Sequence, residues 1–257
     1  MNVSGACVVV TGGGNGIGAA LARRFTDEGA RGVVIADVDE GGLETVAQST
    51  GAVAVRCDVS QPAEIESLID MAEATFGPID LFCSNAGVIV IGGLEASDAQ
   101  WRRVMDINVM AHVWATRIVV PRMIERGGGY LLHTASAAGL LTQIGSVTYS
   151  VTKHAVVSLA EWLAVTYGSQ GIKVSVLCPQ AVRTNMTAGI ENGGVAGVDG
   201  MLEPEDIATA VVEGLADERF LILPHPQVLE YFRRKGSDYD RWIAGMQRLQ
   251  ARFGEVP

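Results

Sequence analysis

Residues 6–28 constrain the fold of this chain more than any other stretch. Ala6-Cys-Val-Val-Val10 is an apolar run of strand character, Thr11-Gly-Gly-Gly-Asn-Gly-Ile-Gly18 is a glycine loop, and Ala19-Ala-Leu-Ala-Arg-Arg-Phe-Thr-Asp-Glu28 repeats apolar residues at helical spacing. Strand, loop and helix in that order predict the opening unit of a parallel sheet with helical crossovers. Glycine belongs in such a loop where a pyrophosphate must approach the backbone and rest against the positive end of the helix. The spacing fits Thr-Gly-x-x-x-Gly-x-Gly through Thr11, Gly12, Gly16 and Gly18, and the generic Gly-x-Gly-x-x-Gly/Ala only through Gly14, Gly16 and Ala19. The first match is the more specific, and its strand and helix neighbours favour a nucleotide site over an ordinary tight turn.

Val33-Val-Ile-Ala-Asp37 predicts a second strand whose terminal carboxylate falls 19 residues after Gly18. A carboxylate there can accept hydrogen bonds from both ribose hydroxyls of NAD and would repel the 2′-phosphate of NADP. Val38 follows it, not arginine, and Asn15 puts no cation in the loop, so nothing local offsets a further phosphate. Residues 52–57 predict a third strand closed by Asp58 and Val59, with Asp58 readable equally as an adenine contact or a loop carboxylate. A helix should begin near Pro62, with Ser60 as a possible cap. Further strands are expected at 79–83, ending in Ser84-Asn-Ala-Gly87, and at 130–133, 173–177 and 220–223. Residues 101–126 have helical periodicity, with Pro121 expected to kink or break the later turns. Asn108 lies within them, where a core-facing amide would hold a water chain or bond a neighbouring loop. The glycine-rich stretch at about 185–203 reads as a mobile lid, and 204–216 and 226–253 read as helical.

Ser136 falls just past the strand at 130–133, and a helix follows that carries Tyr149 and Lys153 towards Tyr167. Four residues apart, Tyr149 and Lys153 stack on one helix face, so the ammonium can sit near the phenol. A fixed positive neighbour favours the phenolate and should bring a group that ordinarily titrates near 10 towards use as a general acid/base. Ser136 would add a hydroxyl to the same substrate oxygen. By itself the pair is a weak signal, since solvated helix faces carry many such pairs.

The 257 residues fit one α/β domain, and 48% hydrophobic residues supply a large core. A net charge of −10 would repel phosphate backbones and anionic lipid, which argues against nucleic-acid or membrane partners. The apolar start is too short for a signal peptide's core, and no run approaches the roughly 18 apolar residues of a membrane span, so a cytoplasmic protein is expected. Cys7, Cys57, Cys83 and Cys178 lie far apart without metal-binding spacing, which predicts reduced core cysteines and no metal.

With these residues in hand, nearly the whole chain resembles the short-chain dehydrogenase/reductase family in its soluble NAD(P)-dependent form. The match rests on Thr11-Gly12-x-x-x-Gly16-x-Gly18, Asp37, Asp58, Asn85-Ala-Gly87, Asn108, Ser136, Tyr149, Lys153 and Pro179 to Thr184, in family order and spacing. The resemblance implies a single Rossmann-type, doubly wound parallel sheet of about seven strands ordered 3-2-1-4-5-6-7, with helices on both faces. It implies that Tyr149 exchanges a proton with the substrate oxygen, that Ser136 orients that oxygen, and that Lys153 both lowers the phenol's pKa and bonds the nicotinamide ribose. Asn108 would hold a water linking the site to solvent. Gly12, Gly16, Ile17 and Gly18 would line the pyrophosphate and ribose, Asn85, Ala86 and Gly87 would lie beneath the cofactor, and Val182 and Thr184, after Pro179, would meet the nicotinamide carboxamide.

Two residues depart from the family pattern: Ser84 stands for asparagine and Gln180 for glycine. Gln180 would either recognise a polar substrate group or point away. Residues 88–94, 137–144 with Ala138 and Gln143, and the lid around Met186 offer mainly apolar lining, so the expected substrate is a lipophilic secondary alcohol or ketone. A 3-oxoacyl-carrier-protein-type reductase is the competing enzyme reading, weakened by the acidic surface, and an NAD-binding sensor or scaffold is the nonenzymatic one. The resemblance also implies a homotetramer or dimer built through helices around Trp114 and Trp162. The aromatic segment 226–257 would complete a subunit contact, cover the substrate mouth or pack as an ordinary helix.

Overall fold

In the computed structural model, which describes residues 1–253, β1 (Cys7–Thr11) is buried along its whole length. It sends Cys7 and Val9 to one face of the sheet and Val8 and Val10 to the other, which is why its sequence is an unbroken apolar run. The chain then alternates through α1 (Gly16–Asp27), β2 (Gly32–Asp37), α2 (Glu40–Thr50), β3 (Val53–Arg56), α3 (Pro62–Phe76) and β4 (Leu81–Ser84). Next, α4 (Asp98–Met105) passes through a π-helical turn, Asp106–Met110, into α5 (Ala111–Glu125). After β5 (Gly129–Thr134) come α6 (Ala138–Leu141), α7 (Val147–Tyr167), β6 (Ile172–Leu177), α8 (Pro204–Ala216), β7 (Leu221–Ile222), α9 (Gln227–Ser237) and α10 (Tyr239–Phe253).

The seven strands form one parallel sheet in the order β3-β2-β1-β4-β5-β6-β7, as the resemblance implied. One apolar layer packs Ile65 and Leu68 of α3, Val119 and Met123 of α5, and Val156 and Leu163 of α7 on one face. The other packs Leu21 and Phe25 of α1, Leu43 of α2, and Ile207 and Val211 of α8. The chain works outward from β1 to β3 and then returns to β4 beside β1. The loops after β1 and β4 therefore diverge, and a cleft opens at the carboxyl ends of those strands.

Several local expectations are corrected. Gln61, not Ser60, occupies the N-cap of α3 and makes no side-chain cap; its side-chain amide donates to Ser60 Oγ at 3.2 Å, while the Ser60 backbone N–H donates to Asp58 Oδ1 at 2.9 Å. Pro121 sits on the exposed face of an unbroken α5, and the irregular turn lies thirteen residues earlier around Asn108. The segment expected to be helical over 226–253 forms two helices parted at Asp238, and residues 254–257 of that expected extension lie outside the described residues. All four cysteines are free and buried.

Candidate active site

The glycine loop closes because side chains are excluded from it. A Cβ on Gly18 would lie 1.9 Å from the Gly12 carbonyl oxygen, and one on Gly12, whose φ is +66°, would lie 2.8 Å from Ala86 Cα. Thr11 and Asn85 tie the loop to the end of β4. The Asn85 amide donates to the Thr11 and Gly12 carbonyls at 3.0 and 3.3 Å, and the Asn85 and Ala86 backbone N–H groups donate to Thr11 Oγ1 at 3.0 and 3.2 Å. Asn15 makes no side-chain cap on α1, which leaves the amides of Gly16, Ile17 and Gly18 to an incoming anion. A cradle without side chains at an uncapped helix start fits a dinucleotide pyrophosphate.

Asp37, half-buried at the end of β2, accepts from Gly14 N at 3.0 Å through Oδ2 and from Val38 N and Asp39 N at 2.7 and 3.1 Å through Oδ1. Its carboxylate is thus fixed beside the loop, while the Val38 side chain is exposed and the Asn15 side chain points to solvent, with no cation from either. Asp58 is occupied by Ser60, and Val59 is buried in the core beside it.

On the other side of the cleft, β5 delivers Ser136 and α7 delivers Tyr149 and Lys153. The Ser136 hydroxyl donates to the Pro179 carbonyl at 3.4 Å and accepts from Ala138 N at 3.1 Å. Lys153 donates from Nζ to the Thr134 carbonyl at 2.9 Å, and the same nitrogen lies 5.5 Å from the centre of the Tyr149 ring. A Cβ on Gly87 would lie 3.3 Å from Lys153 Nζ and 3.5 Å from Asn108 Oδ1, which places both groups against the loop after β4. Asn108 is fully buried in the π turn. Its amide accepts from Val88 N at 2.8 Å and donates to Val88 O at 2.9 Å and Thr152 Oγ1 at 3.2 Å, which joins the loop after β4 to α7. Of the two readings of this side chain, bonding a neighbouring loop is the one its contacts display.

The expected lowering of the phenol is not what the site does. Burial pushes Tyr149 up to about 12, against a hydrogen bond from Ser136 that lowers it, and burial brings Lys153 down to about 8. Tyr149 keeps partial exposure to the cleft, but protein surrounds it closely enough that loss of water outweighs the Ser136 hydrogen bond. Cys178, at the end of β6, is buried beside them, and burial pushes its thiol up to about 12.

The remaining expected residues divide. Pro179 and Val182 are buried, Val182 pairing with Leu202, and Thr184 packs its methyl near Gly16. Ala138 is buried in α6, Gln143 donates its side-chain amide to the Ile144 carbonyl, and Met186 is exposed on the segment after β6. That segment is not featureless, since it winds through short 3-10 turns at Asn185–Thr187 and Glu191–Gly197. A cavity of about 760 Å³ opens between it, Gly16, Arg23 and Pro204, bordering the glycine loop and not Tyr149. Ser84 keeps a buried hydroxyl without a partner. Sequence reasoning missed His225, Asp199 and Tyr231, which gather behind Gln180; a histidine set between Pro224 and Pro226 was the one local sign.

Comparison with known proteins agrees with this geometry. A family model described as short chain dehydrogenase matches residues 6–193. A 1-deoxy-11-beta-hydroxypentalenate dehydrogenase from Streptomyces exfoliatus is 37% identical over 253 residues, covering 95% of this chain and 92% of that one. A meso-2,3-butanediol dehydrogenase from Serratia marcescens is 38% identical over 186 residues, covering 71% and 73%. A short chain dehydrogenase/reductase from Burkholderia phymatum, solved in complex with NAD, superposes with a TM-score of 0.86 at 33% identity, covering 93% of this chain and 96% of that one.

Proposed function

The chain belongs to the short-chain dehydrogenase/reductase family and interconverts a secondary alcohol and a ketone; on that footing we propose an NAD-preferring enzyme for a lipophilic small molecule, with Tyr149 as its general acid/base. The observation that carries this reading is the meeting, in one cleft, of Ser136, Tyr149 and Lys153 with a side-chain-free loop that the Asp37 carboxylate braces at Gly14.

When bound, the nicotinamide accepts a hydride from the alcohol carbon or returns one to the carbonyl carbon. Ser136 holds the substrate oxygen, and Tyr149 receives the proton from the alcohol or donates it to the forming one. Lys153, anchored by the Thr134 carbonyl, presents its ammonium beside the phenol and towards the ribose of the dinucleotide. Asn108 braces Val88 against α7 and so fixes the floor on which these groups meet. Gly12, Gly16, Ile17 and Gly18 receive the pyrophosphate, and Asp37 takes the adenosine ribose hydroxyls. The apolar residues of 88–94 and the segment 185–203, which we read as a lid, enclose the rest of the substrate.

We also read the protein as a cytoplasmic homo-oligomer, tetramer or dimer, joined through α5 and α7. Among the described residues no helix is long and apolar enough to cross a membrane.

Replacing Tyr149 by phenylalanine should lower turnover by about a thousandfold or more while leaving dinucleotide affinity within a few-fold, read by nicotinamide absorbance and by titration. Normal turnover in that variant would sink the assignment. Competitive titration of the wild type with NAD and NADP checks Asp37, and tighter NADP binding would count against it.

A further inference from the structure

Ser136 lies in the segment between Thr134 and Leu140, and two buried lysines hold the carbonyls at its ends. Lys153 donates to the Thr134 carbonyl at 2.9 Å. Lys235 of α9, only 8% exposed, donates to the Leu140 carbonyl at 2.7 Å, across 95 residues of sequence. The chain has just these two lysines and Lys173, which is exposed. A lysine is rarely buried without partners, and besides the carbonyl the Lys235 ammonium faces the Tyr239 ring, 5.5 Å from its centre.

The backbone between the two anchors has little slack. The Ala138 N–H donates to the Ser136 hydroxyl at 3.1 Å and the Gly139 N–H to the Ser136 carbonyl at 2.8 Å, so the single turn of α6 sets the direction of the serine's oxygen. A Cβ on Gly139 would lie 2.5 Å from the Lys153 carbonyl oxygen, which means that α6 rests directly on α7 at the catalytic lysine. The helix stops at Thr142, whose φ of +84° is strained for a β-branched residue. Beyond it the Gln143 N–H donates to the Ser150 hydroxyl of α7 at 2.7 Å, and that hydroxyl donates back to the Gln143 carbonyl at 3.1 Å. A strained turn persists only where its surroundings hold it. Here α7 holds it at Gln143 and α9 holds it at Leu140.

We propose that Lys235 is a positioning residue for the reaction: by holding the Leu140 carbonyl it fixes α6, and through α6 the direction in which Ser136 presents its hydroxyl to the substrate oxygen. The proposal rests on the alcohol dehydrogenase reading and gives α9 a part in it. Without the ammonium a buried carbonyl is left unpaired and α6 is free to shift. The hydrogen bond from Ser136 lowers the Tyr149 pKa against burial, so a looser Ser136 leaves the phenol harder to deprotonate. Alcohol oxidation, which needs the phenolate, then moves to higher pH. The other titratable groups beside the phenol, Lys153 and Cys178, are not altered by a change at Lys235.

The test assays the full chain with NAD on cyclohexanol, 2-octanol and 1-phenylethanol, as wild type and as the Lys235→Met and Lys235→Arg variants, and the alcohol that the wild type oxidises fastest carries the comparison. In Lys235→Met, kcat should fall by about tenfold while KM changes by less than about threefold, and the rising limb of the oxidation pH profile should move up by about half a unit or more. NAD affinity should stay within about twofold, and Lys235→Arg, which keeps the donor, should restore both kcat and the pH limb. A Lys235→Met enzyme with wild-type kcat and pH limb, even one that melts earlier, would overturn the proposal and leave the dehydrogenase reading standing. So would a loss of kcat with the pH limb unmoved, or a loss that Lys235→Arg does not restore. Wild-type turnover of none of the three alcohols would overturn both. Lys235→Gln takes the place of Lys235→Met should circular dichroism show that the latter does not fold.

Discussion

Burial moves the two titratable groups of the site in opposite directions, Tyr149 up to about 12 and Lys153 down to about 8. At neutral pH the phenol is therefore a proton donor, ready for carbonyl reduction, whereas alcohol oxidation needs it deprotonated. Oxidation should rise with pH between about 7 and 10 while reduction stays level and then declines, as pH profiles in the two directions would reveal; oxidation that falls over that range would contradict the assignment. Lys153 carries a second consequence. It is 2% exposed, and holding it charged at neutral pH when its pKa drops from 10.5 to about 8 costs about 3 kcal/mol. A folded pKa below the unfolded one means the cost is fully present below about 8 and vanishes as pH rises to 10.5. Lys153→Met should therefore lose activity yet gain about 1–3 kcal/mol of stability at pH 7, a gain that shrinks at pH 10. Denaturant melts at both pH values measure it, and a variant less stable than wild type at pH 7 would refute it.

At the scale of elements, the loop after β1 and the π turn before α5 do the positioning. Gly18, in the first turn of α1, lies against the Gly12 carbonyl, so Gly18→Ala must push the loop off Asn85 and the end of β4. Dinucleotide affinity should fall by at least about tenfold, while circular dichroism reports an intact sheet. Affinity within twofold of wild type would mean that the loop yields where the structure gives it no room. The π turn matters because one extra residue in the helical register turns the Asn108 amide inward to Val88 and Thr152. Helical periodicity over 101–126 marked the helix but located its irregularity at Pro121, which proves to be accommodated on the exposed side of α5. A single π turn shifts the register by only one residue, too little for the apolar pattern over 101–126 to reveal.

For the whole molecule, the two most exposed large apolar positions of α7, Trp162 at 55% and Val165 at 86%, are where subunits would meet. Light scattering should give a dimer or tetramer, and charged replacements at both positions should shift it towards monomer; a wild-type monomer at micromolar concentration would exclude the assembly. The sheet that supports all this was legible in residues 6–18, 33–37 and 79–87, because a fully buried parallel strand needs an unbroken apolar run and a phosphate loop needs glycine. The meeting of Ser136, Tyr149 and Lys153 in one place was likewise legible, but only through their joint spacing with the glycine loop. Three features were decided by tertiary structure alone. The phenol's pKa depends on how much water the fold excludes, and burial raised it against the Ser136 hydrogen bond. Asn108 found its partners 20 and 44 residues away. The Gln180 backbone N–H found His225 Nδ1 45 residues away, since a donor and its acceptor need to be close only in space.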